Sequence, residues 1–130
     1  MTHELDPAGY RWLRARVAER WRYLAVYDVD MNEVARLDTQ ADPRVTVTVN
    51  DATAEVEYEA RLRGTDPELA GLLPVRLGAT RLFPTADGDD GRSRVSYAGV
   101  VIETTAESKT LRHTVHVPAA LLQEVYVNGS

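Results

Sequence analysis

The chain has 130 residues, no cysteine, 15 Lys+Arg against 20 Asp+Glu and a formal net charge of -5. That length suits one domain with one core. The lack of cysteine excludes a disulfide framework, Cys-ligated zinc, iron–sulfur clusters and a thiolate nucleophile. No run of 18 apolar residues is available to span a bilayer.

Asp6-Pro7 predicts a helix start, with a carboxylate cap and proline at the first helical position. Tyr10, Leu13, Val17, Trp21 and Leu24 then recur every three or four residues, so a helix is predicted over 7–20 with one apolar stripe. Its arginines are expected beside or opposite that stripe. Residues 1–25 hold five arginines against Glu4, Asp6 and Glu19, a balance of +2, which leaves -7 for the remainder.

The period changes after Arg22. Two short strands are predicted around the acidic turn Asp28 to Glu33, with continuation of the helix to Tyr27 as the rival reading. Val45, Val47 and Val49 alternate with Thr46 and Thr48 before an Asn50–Thr53 turn. Val56, Tyr58, Ala60 and Leu62 then alternate with Glu55, Glu57, Glu59, Arg61 and Arg63. This period of two is the strongest signal in the chain and predicts a ribbon with one dry and one wet face. So charged a face argues for an antiparallel sheet.

One helical turn is predicted at Asp66–Ala70, a strand from Val75 to Phe83, and a disorder-prone acidic loop from Thr85 to Ser93. Further strands are expected over 94–105 and from Leu111 to Val117, with a last strand or docked tail at Leu121–Val127. The fold class is therefore mainly β or α+β. An N-terminal amphipathic helix precedes about seven or eight mostly antiparallel strands, in a sandwich or small barrel with a single β body over 22–127.

Asp28-x-Asp30-x-Asn32 has the opening of a calcium loop, but Glu33 and Thr39 occupy the places that need glycine and glutamate. No metal or other cofactor is expected. His113 and His116 fall on opposite faces of one strand and cannot share an ion. His113 is an inward residue that needs a hydrogen-bond partner, and it is the only catalytic candidate. Tyr58 and Tyr97 join it as ligand-pocket candidates. Ser93, Ser96 and Ser108 have no evident base. No phosphate loop, nucleophile elbow or dinucleotide fingerprint is present.

The remaining pattern points to interaction. Trp12, Arg16 and Trp21 on the helix, and Glu55, Glu57, Glu59 and Arg61 on the sheet, are the interface candidates, because aromatic anchors and opposite charges suit docking. The leading expectation is a non-enzymatic structural or protein-interaction module. It would form a homo-oligomer or dock on a protein partner, for instance within a phage virion or tail. The alternative is an intracellular small-molecule-binding barrel or a small cyclase/isomerase-like enzyme using His113. The acidic body argues against nucleic acid, and nothing points to a membrane. Met1–Asp6 has no apolar leader, so the expected setting is the cytoplasm or an intracellularly assembled particle.

Overall fold

A computed structural model describes residues 5–117. The predicted strand at Leu121–Val127 lies outside the described residues. Helix α1 spans Pro7–Arg20, followed by β1 (Tyr23–Asp28), β2 (Glu33–Asp38), β3 (Val45–Asn50) and β4 (Glu55–Arg63). A four-residue helix α2 (Pro67–Ala70) precedes β5 (Val75–Phe83), β6 (Ser93–Ile102) and β7 (Ser108–His116). Every strand pairing is antiparallel. The strands form two sheets, one of order β2-β1-β5-β6 and one of order β3-β4-β7. They do not close into a barrel, so of the two expected architectures the structure takes the open, two-sheet one.

The alternation is realised as predicted in β4, whereas in β3 it fades along the strand: Val45 is buried, Val47 half-buried and Val49 exposed. Val47 pairs with Tyr58 and Val49 with Val56, while β7 brings His113 opposite Tyr58 and Leu111 opposite Ala60. Val56, Tyr58, Ala60 and Leu62 are fully buried, and they meet Leu24, Val26, Leu77, Leu82 and Ile102 from the other sheet in one core. Alternation fails in β1 for a physical reason. Leu24 and Val26 enter that core, but Ala25 and Tyr27 are also buried, on the outer face, with Ala79 and Phe83. A strand covered on both sides loses its polar face.

The cover is partly an arginine. Arg36 lies over the Phe83 ring at 3.9 Å. It donates to the carbonyls of Thr85, Ala86 and Gly88 at 3.3, 3.4 and 2.7 Å. The start of the loop expected to be most disorder-prone is thus tied down on the sheet. Another arginine organises the β2–β3 connection. Arg44 donates to both oxygens of Asp42 and both of Glu68, linking the β2–β3 connection to α2. Arg44 beside them holds both carboxyls below the usual range, while the guanidinium itself is raised. Gly64, which ends the β4 pattern, is required by close approach. A Cβ there would collide with the Thr104 carbonyl, and its own N–H donates to Glu107 O at 2.9 Å.

Helix α1 starts at Pro7 as predicted, although the Asp6 side chain makes no capping bond. Its carbonyl instead accepts from Gly9 N and Tyr10 N. The buried face differs from the predicted stripe. Tyr10 and Arg14 are buried, while Leu13, Val17 and Trp21 are only half-buried. Arg14 donates from Nε to Asp51 at 2.9 Å and from Nη1 to Val117 O at 2.9 Å, so an arginine expected beside or opposite the stripe lies beneath the helix. Helix C-termini leave carbonyls without partners. Here the Tyr58 hydroxyl supplies one donor, shared between Val17 O at 3.0 Å and Trp21 O at 2.9 Å.

Tyr58→Phe removes that donor without changing shape. It is expected to cost about 1 to 2 kcal/mol, read as a lower urea midpoint with an unchanged slope. An unaltered midpoint would show that the phenol does not hold the helix end.

Candidate functional site

The polar centre of the molecule is His113. Alternation in β7 turns it inward from between Arg112 and Thr114, and it is 0% exposed. A buried imidazole needs two partners, and neighbouring strands supply them. Thr80 Oγ1, from β5, is 2.8 Å from Nδ1, and Ser93 Oγ, from the first residue of β6, is 2.8 Å from Nε2. Thr80 also lies 2.9 Å from the Tyr97 hydroxyl, which donates to the Arg112 carbonyl at 2.9 Å.

The direction of every proton follows from the last link. A carbonyl only accepts, so Tyr97 donates to Arg112 O and accepts from Thr80. Thr80 therefore accepts from His113 Nδ1–H. Nε2 is then left with its lone pair toward Ser93, whose hydroxyl donates to it. One hydrogen-bonded chain runs from Ser93 through His113 and Thr80 to Tyr97 and the β7 backbone, and it joins the two sheets.

This places the three sequence-predicted pocket residues together. The Tyr58 and His113 rings meet edge to face, with centroids 6.2 Å apart at 80°, and Tyr97 reaches the same cluster through Thr80. Each polar tip is already engaged by protein: Tyr58 by α1, His113 by Thr80 and Ser93, Tyr97 by Thr80 and Arg112. The trio thus forms a filled, partnered interior rather than the expected lining of a barrel cavity. Burial raises both phenol pKa values, with the bond from Thr80 partly offsetting it at Tyr97.

The sequence reading left Ser93 without a base, and the structure corrects this. Twenty residues and a change of sheet separate Ser93 from His113, so linear spacing could not have paired them. The bond has the polarity of a nucleophile–base pair. Its third member is wrong for strong catalysis. Thr80 brings no negative charge to an imidazolium, and burial lowers the His113 pKa from 6.5 to about 4. The ring is neutral near pH 7, and it holds the Ser93 proton in place more readily than it removes it.

The interface candidates separate. Trp12 is 60% exposed on α1, with the Arg16 guanidinium carbon 5.3 Å from its ring centroid. Trp21 instead packs against the core of its own chain, and its carbonyl receives Tyr58. Glu55, Glu57 and Glu59 stand on the outer face of β4, opposite Tyr58. Glu59 and Glu57 are 3.2 and 3.8 Å from Arg112, and Glu55 is 2.8 Å from His116. Arg61 is exposed at the far end of the same face. The acidic turn resolves as a local motif. Asp28 Oδ1 accepts from the N–H groups of Asp30 and Asn32 at 2.9 Å each, which lowers its pKa.

Among the described residues, no helix is long and apolar enough to cross a membrane. A cleft of ≈ 610 Å³ is bordered by Arg36, Asp38, Asp42, Arg44 and Asp66, and another of ≈ 340 Å³ has Ser93, the Nε2 partner of His113, in its lining. Against family models, curated proteins and solved structures alike, the chain has no significant match.

The low His113 pKa makes a prediction with a definite sign. Between pH 6.5 and about 4 the unfolded chain takes up a proton that the folded chain refuses. Stability is therefore complete above pH 6.5 and falls as the pH drops through that window, by about 3 kcal/mol at most. In His113→Gln this slope should flatten while the steeper loss below pH 4, from carboxylates such as Asp42 and Glu68, remains. Denaturant titrations at a series of pH values check it, and an unchanged slope in the variant would assign the effect elsewhere.

Proposed function

We propose that the protein is a non-enzymatic interaction module that assembles with copies of itself, as a building block of a larger particle of the kind a phage virion or tail represents. The cytoplasm, or a particle assembled inside the cell, is the setting that goes with this reading. The observation that carries it is Trp12. An indole on a helix whose other side is occupied by its own chain costs apolar exposure, and Arg16 stacked on it completes a pair of the residue types that most often anchor interfaces.

Charge supports a second copy as the partner. The segment 1–25 carries +2 and the remainder -7. The outer side of α1 presents Arg11, Arg20 and the half-buried Arg16 around Trp12, with Glu19 accepting from Arg16 at 3.2 Å and lying 3.8 Å from Arg20. Glu55, Glu57 and Glu59 remain partly exposed on the side of β4 that α1 of the same chain does not touch. A helix of one copy laid on the glutamate face of the next is a head-to-tail contact. Such contacts close into rings or extend as filaments, according to the rotation between copies. The rival reading, a ligand-binding barrel or enzyme using His113, draws less support, because the polar tips of Tyr58, His113 and Tyr97 are engaged within the protein.

Sedimentation velocity over a range of micromolar concentrations tests the proposal. The parent chain should associate, more weakly at high salt. Trp12→Ala and Arg16→Glu should each weaken association at least about tenfold, with unfolding free energy changed by no more than about 0.5 kcal/mol. Glu57→Arg should restore association to Arg16→Glu. A parent chain that stays monomeric throughout, or variants that associate like the parent, would overturn the reading.

A further inference from the structure

The outer face of the four-stranded sheet carries a charged feature unrelated to α1. Arg81 on β5 and Arg94 on β6 are cross-strand partners. Like charges placed opposite one another on a sheet face repel. Among the described residues, neither forms an ion pair with a carboxylate: Arg81 lies over Phe83, 5.1 Å from the ring centroid, and Arg94 donates only to Met31 Sδ, at 3.4 Å. Arg92 reaches a single oxygen of Asp90, from Nε at 3.1 Å and Nη2 at 2.8 Å. These three arginines, with Gly91 and Ser93, line a cleft of ≈ 340 Å³. The Arg81 guanidinium lies against Gly91, in space that a Cβ would enter. A chain of net charge -5 has thus gathered three cations in one recess, with one carboxylate to answer them.

We propose that this cleft binds the phosphoryl group of a small ligand, as a phosphate monoester or a pyrophosphate. Planar guanidinium forks each offer two N–H groups to two oxygens of such an anion, and a dianion between Arg81 and Arg94 cancels their repulsion. The volume is at the lower end for small-molecule sites. Asp87, Asp89 and Asp90 lie on the adjoining loop, so a compact anion fits where an extended phosphate backbone would meet carboxylates. Ser93 adds no donor, because its proton is directed to His113. The recognition rests on the arginines.

The test is calorimetric titration of the full chain at low ionic strength, with inorganic pyrophosphate as one probe and a mixed-sequence single-stranded oligonucleotide as the other. Saturable pyrophosphate binding is expected, weakening as salt rises. Arg94→Gln and Arg81→Gln should each reduce affinity at least tenfold, and Arg63→Gln, in the separate cleft beside Arg44 and Arg61, should leave it unchanged. Arg94→Gln should also leave the melting temperature of the free protein unchanged or raise it, because it removes one of two repelling charges. An arginine retained only for the fold would lower it. Absence of saturable binding, equal affinity in Arg94→Gln, or binding of the oligonucleotide but not of pyrophosphate would each overturn the proposal.

Discussion

The imidazole of His113 lies between two sheets where water does not reach, and both of its nitrogens must bond to protein. Thr80 and Ser93 meet that need from the opposite sheet, each at 2.8 Å. Leaving one of these groups unpaired would cost about 1 to 3 kcal/mol, whereas apolar contacts between the sheets tolerate small slides. The relay therefore does more than add stability. It sets how β7 sits against β5 and β6. The register of β7 against β4 then places Tyr58 beside His113, and Tyr58 in turn receives the end of α1. A single tautomer runs through the network because its last acceptor is a carbonyl.

The Ser93–His113 bond differs in one partner from the pair of a catalytic triad. Proton transfer to an imidazole is favoured when a carboxylate waits behind it. Behind His113 stands a neutral threonine hydroxyl, and burial disfavours the charged ring. Both features oppose the imidazolium. A staple and a catalytic pair can share one bond length and polarity; the charge around them separates the two roles.

The surfaces follow from what each face must cover. The outer side of the three-stranded sheet is threonine, glutamate and arginine, and needs no cover. That of the four-stranded sheet holds Ala25, Tyr27, Ala79 and Phe83, and is covered by Arg36 with the start of the following loop. Arginine suits this task because its planar head stacks on a ring while its N–H groups bond to backbone. Helix α1 commits one side to its own chain through Arg14, Tyr10 and the Tyr58 bond. Trp12 is left on the other side, and the assembly proposal rests on that exposure.

Much of the fold was legible in the chain. Period-two alternation from Val45 to Leu62 determined a ribbon with Val45, Val56, Tyr58, Ala60 and Leu62 inward and the glutamates outward, because a side chain on a strand can take only one of two faces, although Val49 at the ribbon's end is exposed. The stripe after Asp6-Pro7 determined a helix over 7–20. Antiparallel pairing followed from a charged outer face, and His113 was marked as an inward polar residue that needed partners. Only the tertiary structure decided who those partners are, that the sheets stay open, that Arg14 lies beneath the helix, and that Arg81 and Arg94 face each other. Alternation reports which face a residue takes within its own strand. It carries no information on which strand arrives opposite, and the bonds that distinguish this molecule join residues that meet only across strands or sheets.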